Sequence, residues 1–255
     1  MDKKSKTIDR CQISGVQDLK TVLSLGYLPP VNKLNKINSS LREDVFYPAE
    51  LMFSPSSKLI QLSTIVDKEI LFPKEYPYTS STTKVLRENF EELYKECRKI
   101  ISISSKDLII DVGSNDGNLL NNFKNHHKVL GITPEKIGKI AIKKGINTLI
   151  KYFNKDTANL VLKKFGRAKI VTATNVFAHM STLGDVMDGI KRLLDEDGYF
   201  CFENHYIMEI LEKVQYDTFY HEHLRTYSLI SLDKLFQLYD LHLIDAQIVT
   251  RYGGS

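Results

Sequence analysis

The sequence predicts an α/β fold: a mostly parallel sheet with helices on both faces, preceded by a small irregular N-terminal lobe. Three observations carry this reading. Beyond about residue 100, short apolar runs alternate with amphipathic stretches in a βαβαβα rhythm. The run Leu108–Val112 is apolar apart from Asp111, as a strand covered on both faces requires. Before residue 80, short apolar pieces are instead interrupted by Pro, Ser and Asn clusters.

The elements follow in order. Residues 23–30 read as strand and turn, and 67–71 as a short helix. Within 81–100, Val85, Leu86, Phe90, Leu93, Tyr94 and Cys97 share one helical face, so this helix leads into the sheet. After the strand at 108–112 come a helix over 117–126, a strand over 129–132 and a helix over 134–144 with Pro134 in its first turn. A short strand at 149–150, a helix over 157–165 and a strand over 168–172 continue the alternation. A helix over 183–194 stops before Asp197-Gly198. A strand over 199–202, a helix over 232–239 and a strand over 241–249 complete the domain. The boundary falls between lobe 1–80 and sheet domain 81–255.

Composition narrows the function. Thirty-five Lys and Arg stand against 31 Asp and Glu, a net charge of +4, and the hydrophobic fraction is 42%, so the chain is a folded one. Its positive charge is scattered among acidic neighbours, whereas a nucleic-acid binder concentrates it in a stripe; a small molecule is the expected partner. No apolar run approaches the ~20 residues of a membrane-spanning helix. The basic start Met1-Asp2-Lys3-Lys4-Ser5-Lys6 runs into polar residues, which makes the cytoplasm the expected compartment. Cys11, Cys97 and Cys201 are far apart and odd in number, which argues against a disulfide framework and a cysteine-rich zinc site. Oligomeric state is left open.

The chemistry concentrates in Asp111-Val112-Gly113-Ser114-Asn115-Asp116-Gly117-Asn118, between a buried strand and a helix. Ligands of open parallel sheets bind at the C-terminal ends of strands. Gly113 and Gly117 admit close backbone approach. Asp111 and Asp116 place carboxylates where a dinucleotide site has a phosphate cradle, so they repel a pyrophosphate and attract an ammonium or sulfonium. S-adenosylmethionine carries both cations. The stretch is also compatible with a tight strand-to-helix turn capped by Asp.

Val112 to Leu120 resembles the cofactor loop of class I S-adenosylmethionine-dependent methyltransferases, which have a Rossmann-like sheet. More specifically, the chain resembles the nucleotide-sugar C-methyltransferases, typified by the deoxysugar C-3-methyltransferases. Four further segments support this: Glu75-Tyr76-Pro77-Tyr78-Thr79-Ser80-Ser81, Thr174-Asn175-Val176-Phe177-Ala178-His179, Tyr220-His221-Glu222-His223-Leu224 and Tyr252-Gly253-Gly254-Ser255. The resemblance implies His223 as general base, with Glu222 and Tyr220 beside it and Tyr76 reaching in from the lobe. It implies cofactor contacts from Asp111, Gly113, Ser114, Asn115, Asp116, Gly117, Thr133, Asn175, Phe177 and Tyr78. Histidine suits the role because it titrates in the useful range. Plainer readings stand beside these. His221 and His223 are also compatible with a metal pair or surface residues, His179 with a core histidine, and Phe177 and Tyr152-Phe153 with packing.

Three departures from the family pattern shape the expectation. The family's lobe carries two cysteine pairs for zinc; here only Cys11 remains, and Phe53-Ser54-Pro55-Ser56-Ser57 replaces the second pair, so zinc is expected to be lost from a remnant lobe. Thr133 stands where an acid usually holds the ribose, and Glu135 comes two residues late. Family members also continue past Gly-Gly-Ser into a C-terminal domain, so this chain is expected to be a short form. The resemblance therefore implies methyl transfer to a hydroxyl of a nucleotide-activated sugar, such as a GDP-heptose of capsule polysaccharide synthesis. C-methylation of a nucleotide-linked 4-keto-deoxysugar and a degenerate, non-catalytic cofactor-binding module are the alternatives.

Overall fold

The computed structural model describes residues 5–32, 34, 37–38, 44–72, 79–134 and 136–249. The chain divides into two compact units. One comprises Met1–Pro73, Ala178–Leu183 and Asn204–Ser255, the other Lys74–Phe177 and Gly184–Glu203. The first of these units is therefore assembled from three separate pieces of chain.

The N-terminal unit is more regular than its broken sequence implies. It opens with β1 (Ser5–Thr7), β2 (Lys20–Leu28), β3 (Tyr47–Phe53), β4 (Ile60–Leu62), β5 (Thr64–Val66) and the single-turn helix α1 (Lys68–Leu71). Asp67 caps α1 by accepting the Glu69 N–H at 2.8 Å. Strands β2, β3 and β4 form an antiparallel sheet, and β1 pairs separately with β5. Leu51 and Leu62 anchor its small core with residues from the far end of the chain, Ile207, Ile210 and Phe219.

The second unit begins with α2 (Lys84–Ile100), capped by the Thr83 hydroxyl, which accepts the Leu86 N–H at 3.3 Å. It buries Leu86, Phe90 and Cys97 as the period requires. Val85 was expected on this face but is 48% exposed, and Asn89 is buried instead. There follow β6 (Leu108–Val112), α3 (Leu120–Phe123), β7 (Lys128–Thr133), α4 (Gly138–Lys143), β8 (Thr148–Ile150), α5 (Lys155–Phe165), β9 (Ala168–Thr174), α6 (Leu183–Leu193) and β10 (Leu194–Glu203). The five strands run parallel in the order β10-β9-β6-β7-β8. All five residues of β6 are buried, so the near-continuous apolar run marks the central strand.

Two expected helices are shorter than read. The helix after β6 is one turn, and the positive φ of Gly117 rules out a start at that residue. The next helix starts at Gly138, past Pro134.

The chain then returns to the first unit through α7 (Ile207–Glu212), β11 (Arg225–Thr226) and α8 (Leu229–Gln237). β11 extends the antiparallel sheet beside β4. Ser228 and Ser231 close a reciprocal capping box on α8. The strand expected over 241–249 is corrected: these residues form no strand, and Ile244 and Ile248 are 65% and 61% exposed. Apolar β-formers make a strand only where a ladder partner and a buried face exist, and this stretch has neither. Among the described residues, no helix is long and apolar enough to cross a membrane.

Candidate active site

Chain order in the parallel sheet fixes one end of the second unit as a ligand edge. From β6 the chain steps outward to β7 and β8, then crosses back to β9 and β10. The loops leaving β6 and β9 therefore diverge, which opens a crevice at their C-terminal ends.

Asp111 lies on β6 just before this edge, fully buried, and accepts a 2.7 Å hydrogen bond from the Thr172 hydroxyl of β9. Burial pushes its carboxyl up to about 7 despite that bond. The next residues turn the backbone. Gly113 has φ +80°, and its N–H donates to the Ile132 carbonyl at 2.8 Å. A Cβ at Gly113 would overlap Val176 Cγ1, on the loop after β9. Gly113→Ala combines that overlap with a left-handed backbone, so we expect a loss of about 2–4 kcal/mol and abolished cofactor binding, read by urea denaturation and calorimetric titration. Wild-type stability in the variant would show that Val176 moves freely.

The other loop residues divide between inner supports and unfilled groups. Asn115 Oδ1 accepts N–H groups from Ser80 and Asp116. Asp116 accepts from the Ser80 hydroxyl at 2.6 Å and from Lys144 Nζ at 2.9 Å. Burial opposes its ionisation, but the hydrogen bonds from Ser80, Ser81 and Lys144 outweigh it and hold the carboxyl below its ordinary value. Asp116 thus ties the loop to its neighbours within the unit. Gly117, at φ +79°, packs where a Cβ would meet Ile146 Cδ1 at 2.6 Å. Ser114 Oγ, in contrast, is buried without a hydrogen-bond partner.

Thr133 ends β7, 1% exposed, with its methyl against Gly138. Asn175 follows β9 at φ +54°. Its N–H and Nδ2 donate to the Glu203 carbonyl and carboxylate at 2.8 and 2.9 Å. Asn89 Nδ2 donates to the second Glu203 oxygen at 2.7 Å. Asn175 Oδ1 is left buried and unpartnered. Phe177 is wholly buried against Phe200 and Phe202 of β10, with ring centroids 5.7 and 5.6 Å away, so the packing reading accounts for it. Tyr76, Tyr78, Glu135 and the Tyr252 to Ser255 segment lie outside the described residues.

These groups fit S-adenosylmethionine. A buried carboxyl is poised near neutrality for a cation, and two orphaned buried oxygens lie on the loops after β6 and β9. Asp111, Ser114 and Asn175 would hold the cofactor, with Gly113 letting the two loops pack closely, and the cofactor would supply an electrophilic methyl group.

In the other unit, four ring side chains gather. His223 is buried, with Tyr220, His205 and His179 at ring-centroid distances of 4.2, 4.3 and 4.9 Å. Its Nδ1 lies 2.7 Å from the Thr218 carbonyl. A carbonyl only accepts, so Nδ1 carries the proton and Nε2 the lone pair. Burial, reinforced by His179 and His205, pushes the imidazole pKa down to about 2. Glu222 is buried, accepts from Asn32 Nδ2, and lies 4.0 Å from His179 Nδ1. His221 points elsewhere: its Nε2 donates to the Pro48 carbonyl at 3.1 Å, and its ring meets Tyr47 edge-on.

Sequence reasoning missed His205, Asn204 and the Asn89–Glu203 support. Asn204 is buried with both amide atoms unpartnered. The available signal was position: Glu203-Asn204-His205 leaves the C-terminal end of β10, where functional groups of parallel sheets collect.

A family model described as a methyltransferase domain matches residues 83–246, and one described as a zinc binding domain matches residues 11–72. The C-methyltransferase NovU of Streptomyces niveus is 28% identical over 252 residues. That match covers 98% of this chain but 60% of NovU, so the chain spans about three fifths of that relative. Among solved structures, the Trm112–methyltransferase complex of Haloferax volcanii aligns at 14% identity and TM-score 0.49, covering 64% of this chain and 73% of that one. YcgJ of Bacillus subtilis aligns at 17% identity and TM-score 0.46, covering 58% and 67%.

Residues 11–72 do not supply a structural zinc site. They contain one cysteine and no histidine, whereas such sites take four thiolate or imidazole donors. Among the described residues no group of three His, Cys, Asp or Glu side chains is gathered as for a metal. The parallel sheet, the Asp111 to Gly117 loop and the match over residues 83–246 together place the chain in the methyltransferase-domain family, with a Rossmann-like class I fold and S-adenosylmethionine as its cofactor.

Proposed function

We propose that the protein methylates a hydroxyl group of a nucleotide-activated sugar, with His223 as general base. The observation that carries this is the state of His223: Nδ1–H is committed to Thr218, so a neutral imidazole offers its Nε2 lone pair. In displacement at a sulfonium methyl, a hydroxyl loses its proton as its oxygen bonds to carbon, so a weak base suffices. The base forms N–H, the hydroxyl oxygen forms O–CH3, and the sulfonium leaves as a neutral thioether. Removing a carbon-bound proton beside a ketone needs a stronger base, because the carbanion precedes methyl transfer. Burial holds this imidazole below the useful range expected of a histidine base, so it meets the acceptor neutral, and a hydroxyl makes the smaller demand on it.

Asp111, Gly113, Ser114, Asn115, Asp116, Gly117, Thr133 and Asn175 form the proposed cofactor site, Asn115 and Asp116 by shaping the loop. Tyr220 and Glu222 flank the base, and Tyr76, Tyr78 and Phe177 remain assigned through the family resemblance. The proposed lobe is 1–80 and the methyltransferase domain 81–255, acting in the cytoplasm on surface-polysaccharide precursors such as a GDP-heptose.

C-methylation of a 4-keto sugar is the second reading, favoured by the likeness to NovU across nearly the whole chain. Incubation with the cofactor and a panel of nucleotide sugars, followed by mass and NMR analysis, separates the two. A methoxy product is expected. A C-methyl product overturns the hydroxyl acceptor, and cofactor binding without transfer to any sugar establishes the non-catalytic module instead.

A further inference from the structure

The N-terminal unit contains a pair of matching turns that no methyl-transfer role uses. The first is Cys11-Gln12-Ile13-Ser14-Gly15-Val16, the second Ser54-Pro55-Ser56-Ser57-Lys58-Leu59. In each, the N–H of the first residue donates to the carbonyl of the sixth, Cys11 to Val16 at 2.9 Å and Ser54 to Leu59 at 3.0 Å. In each, the N–H of the fifth returns to the carbonyl of the first, Gly15 to Cys11 at 2.9 Å and Lys58 to Ser54 at 2.8 Å. The fifth residue is left-handed in both, at φ +70° for Gly15 and +62° for Lys58. A lysine pays strain there that glycine avoids, so the second turn holds its shape against its own sequence.

The side chains converge as well as the backbones. Positions one and four of the two turns are Cys11, Ser14, Ser54 and Ser57, the C-x2-C spacing that structural zinc sites use twice. Cys11 Sγ lies 3.0 Å from Ser57 Oγ, and the Ser57 N–H donates to Ser54 Oγ at 3.4 Å. The N–H groups of Ile13 and Ser14 point at Cys11 Sγ, each at 3.4 Å. Beyond them, Ser56 Oγ bridges Ser14 Oγ at 2.9 Å and Ser54 Oγ at 3.1 Å. Ser54 Oγ donates onward to Asp18 Oδ1 at 2.8 Å, and the Ser56 N–H to Asp18 Oδ2 at 2.8 Å. Cys11, Ser54 and Ser57 are almost wholly buried.

We propose that a hydrogen-bond network of Cys11, Ser14, Ser54, Ser56, Ser57 and Asp18 replaces the metal cross-link between two zinc knuckles, leaving a cage that holds zinc again once its hydroxyls become thiols. The chemistry explains the exchange. A hydroxyl both donates and accepts, so serines circulate hydrogen bonds among themselves where four thiolates need a cation between them. Neutral hydroxyls are poor ligands for zinc, and Asp18 takes the donors at one end of the network.

The test uses the full chain. Wild type is expected to carry no stoichiometric zinc by elemental analysis, and its Tm is expected to be unchanged by a chelator. Ser57→Ala and Asp18→Ala are expected to lower Tm equally with and without chelator. The triple variant Ser14→Cys, Ser54→Cys, Ser57→Cys is expected to bind one zinc per chain and to show tetrahedral thiolate absorption with cobalt. Adding Asp18→Asn removes a negative charge beside the new thiolates and provides a second folded form. One tightly held zinc in wild type, with a Tm that falls on chelation, overturns the proposal. So does a folded triple or quadruple variant that takes up neither metal, and so do Ser57→Ala and Asp18→Ala proteins as stable as wild type.

Discussion

Asp111→Asn is expected to make the cofactor-free protein more stable while weakening its hold on S-adenosylmethionine. Burial raises the Asp111 carboxyl from 3.8 to about 7. Between those values the folded protein binds a proton that the unfolded chain has released. Stability from this group is therefore complete below pH 3.8, falls as pH rises, and is fully lost above about 7. The shift corresponds to roughly 4 kcal/mol at most. Asparagine keeps an oxygen for the Thr172 hydroxyl but has no charge to bury. Urea denaturation should show a gain at pH 8 that vanishes near pH 4.

Binding should change in the opposite sense. A cationic ligand restores the reason for the carboxylate, so wild-type affinity should rise from pH 6 to 8 with release of a proton. Titration calorimetry in buffers of different ionisation enthalpy detects that proton. In Asp111→Asn the release should disappear and affinity fall on the order of tenfold to a hundredfold. A variant that binds as tightly as wild type would remove Asp111 from the cofactor site. One that is less stable at pH 8 would show that the carboxylate is stabilised from within the protein.

His223→Ala is expected to lower turnover by about 10²–10⁴-fold, the range of a lost general base, with cofactor affinity unchanged. Added imidazole should restore part of the rate by occupying the space vacated. The pH dependence distinguishes this residue from Asp111. With its pKa down at about 2, His223 stays neutral throughout the working range, so it adds no inflection near 6.5 to the rate profile. Its depressed pKa contributes stability that is present above 6.5 and lost as pH falls toward 2; His223→Ala should flatten that acid limb. A loss of activity that merely tracks a lower Tm, without rescue, would reduce His223 to a packing residue.

What the sequence revealed and what it hid have the same physical origin. β6 and its loop were legible because burial on both faces demands an apolar run and a reversed backbone demands glycine, and both are local requirements. Val85 fits the apolar period yet is exposed, and the burial of Asn89 is invisible to that period because its partner, Glu203, lies over a hundred positions away. The residues 241–249 have strand composition, yet composition cannot supply a ladder partner. His223 was visible through its motif. Its companions His179 and His205 were not grouped with it, because only the tertiary fold brings the three rings together.

The pairing of β11 with β4 has a consequence for how the protein is made. Arg225 meets Gln61 across an interval of chain that contains every strand of the parallel sheet. During synthesis β2, β3 and β4 emerge early, while the strand that covers the outer side of β4 emerges only after the whole sheet domain. Until then β4 presents open backbone donors and acceptors to any other nascent chain. The parallel sheet can close on contacts from its own stretch of sequence, whereas the antiparallel one must wait. Slow, crowded translation should thus expose this protein to aggregation through its first-made strands, and residues 1–80 expressed alone would keep that edge permanently bare.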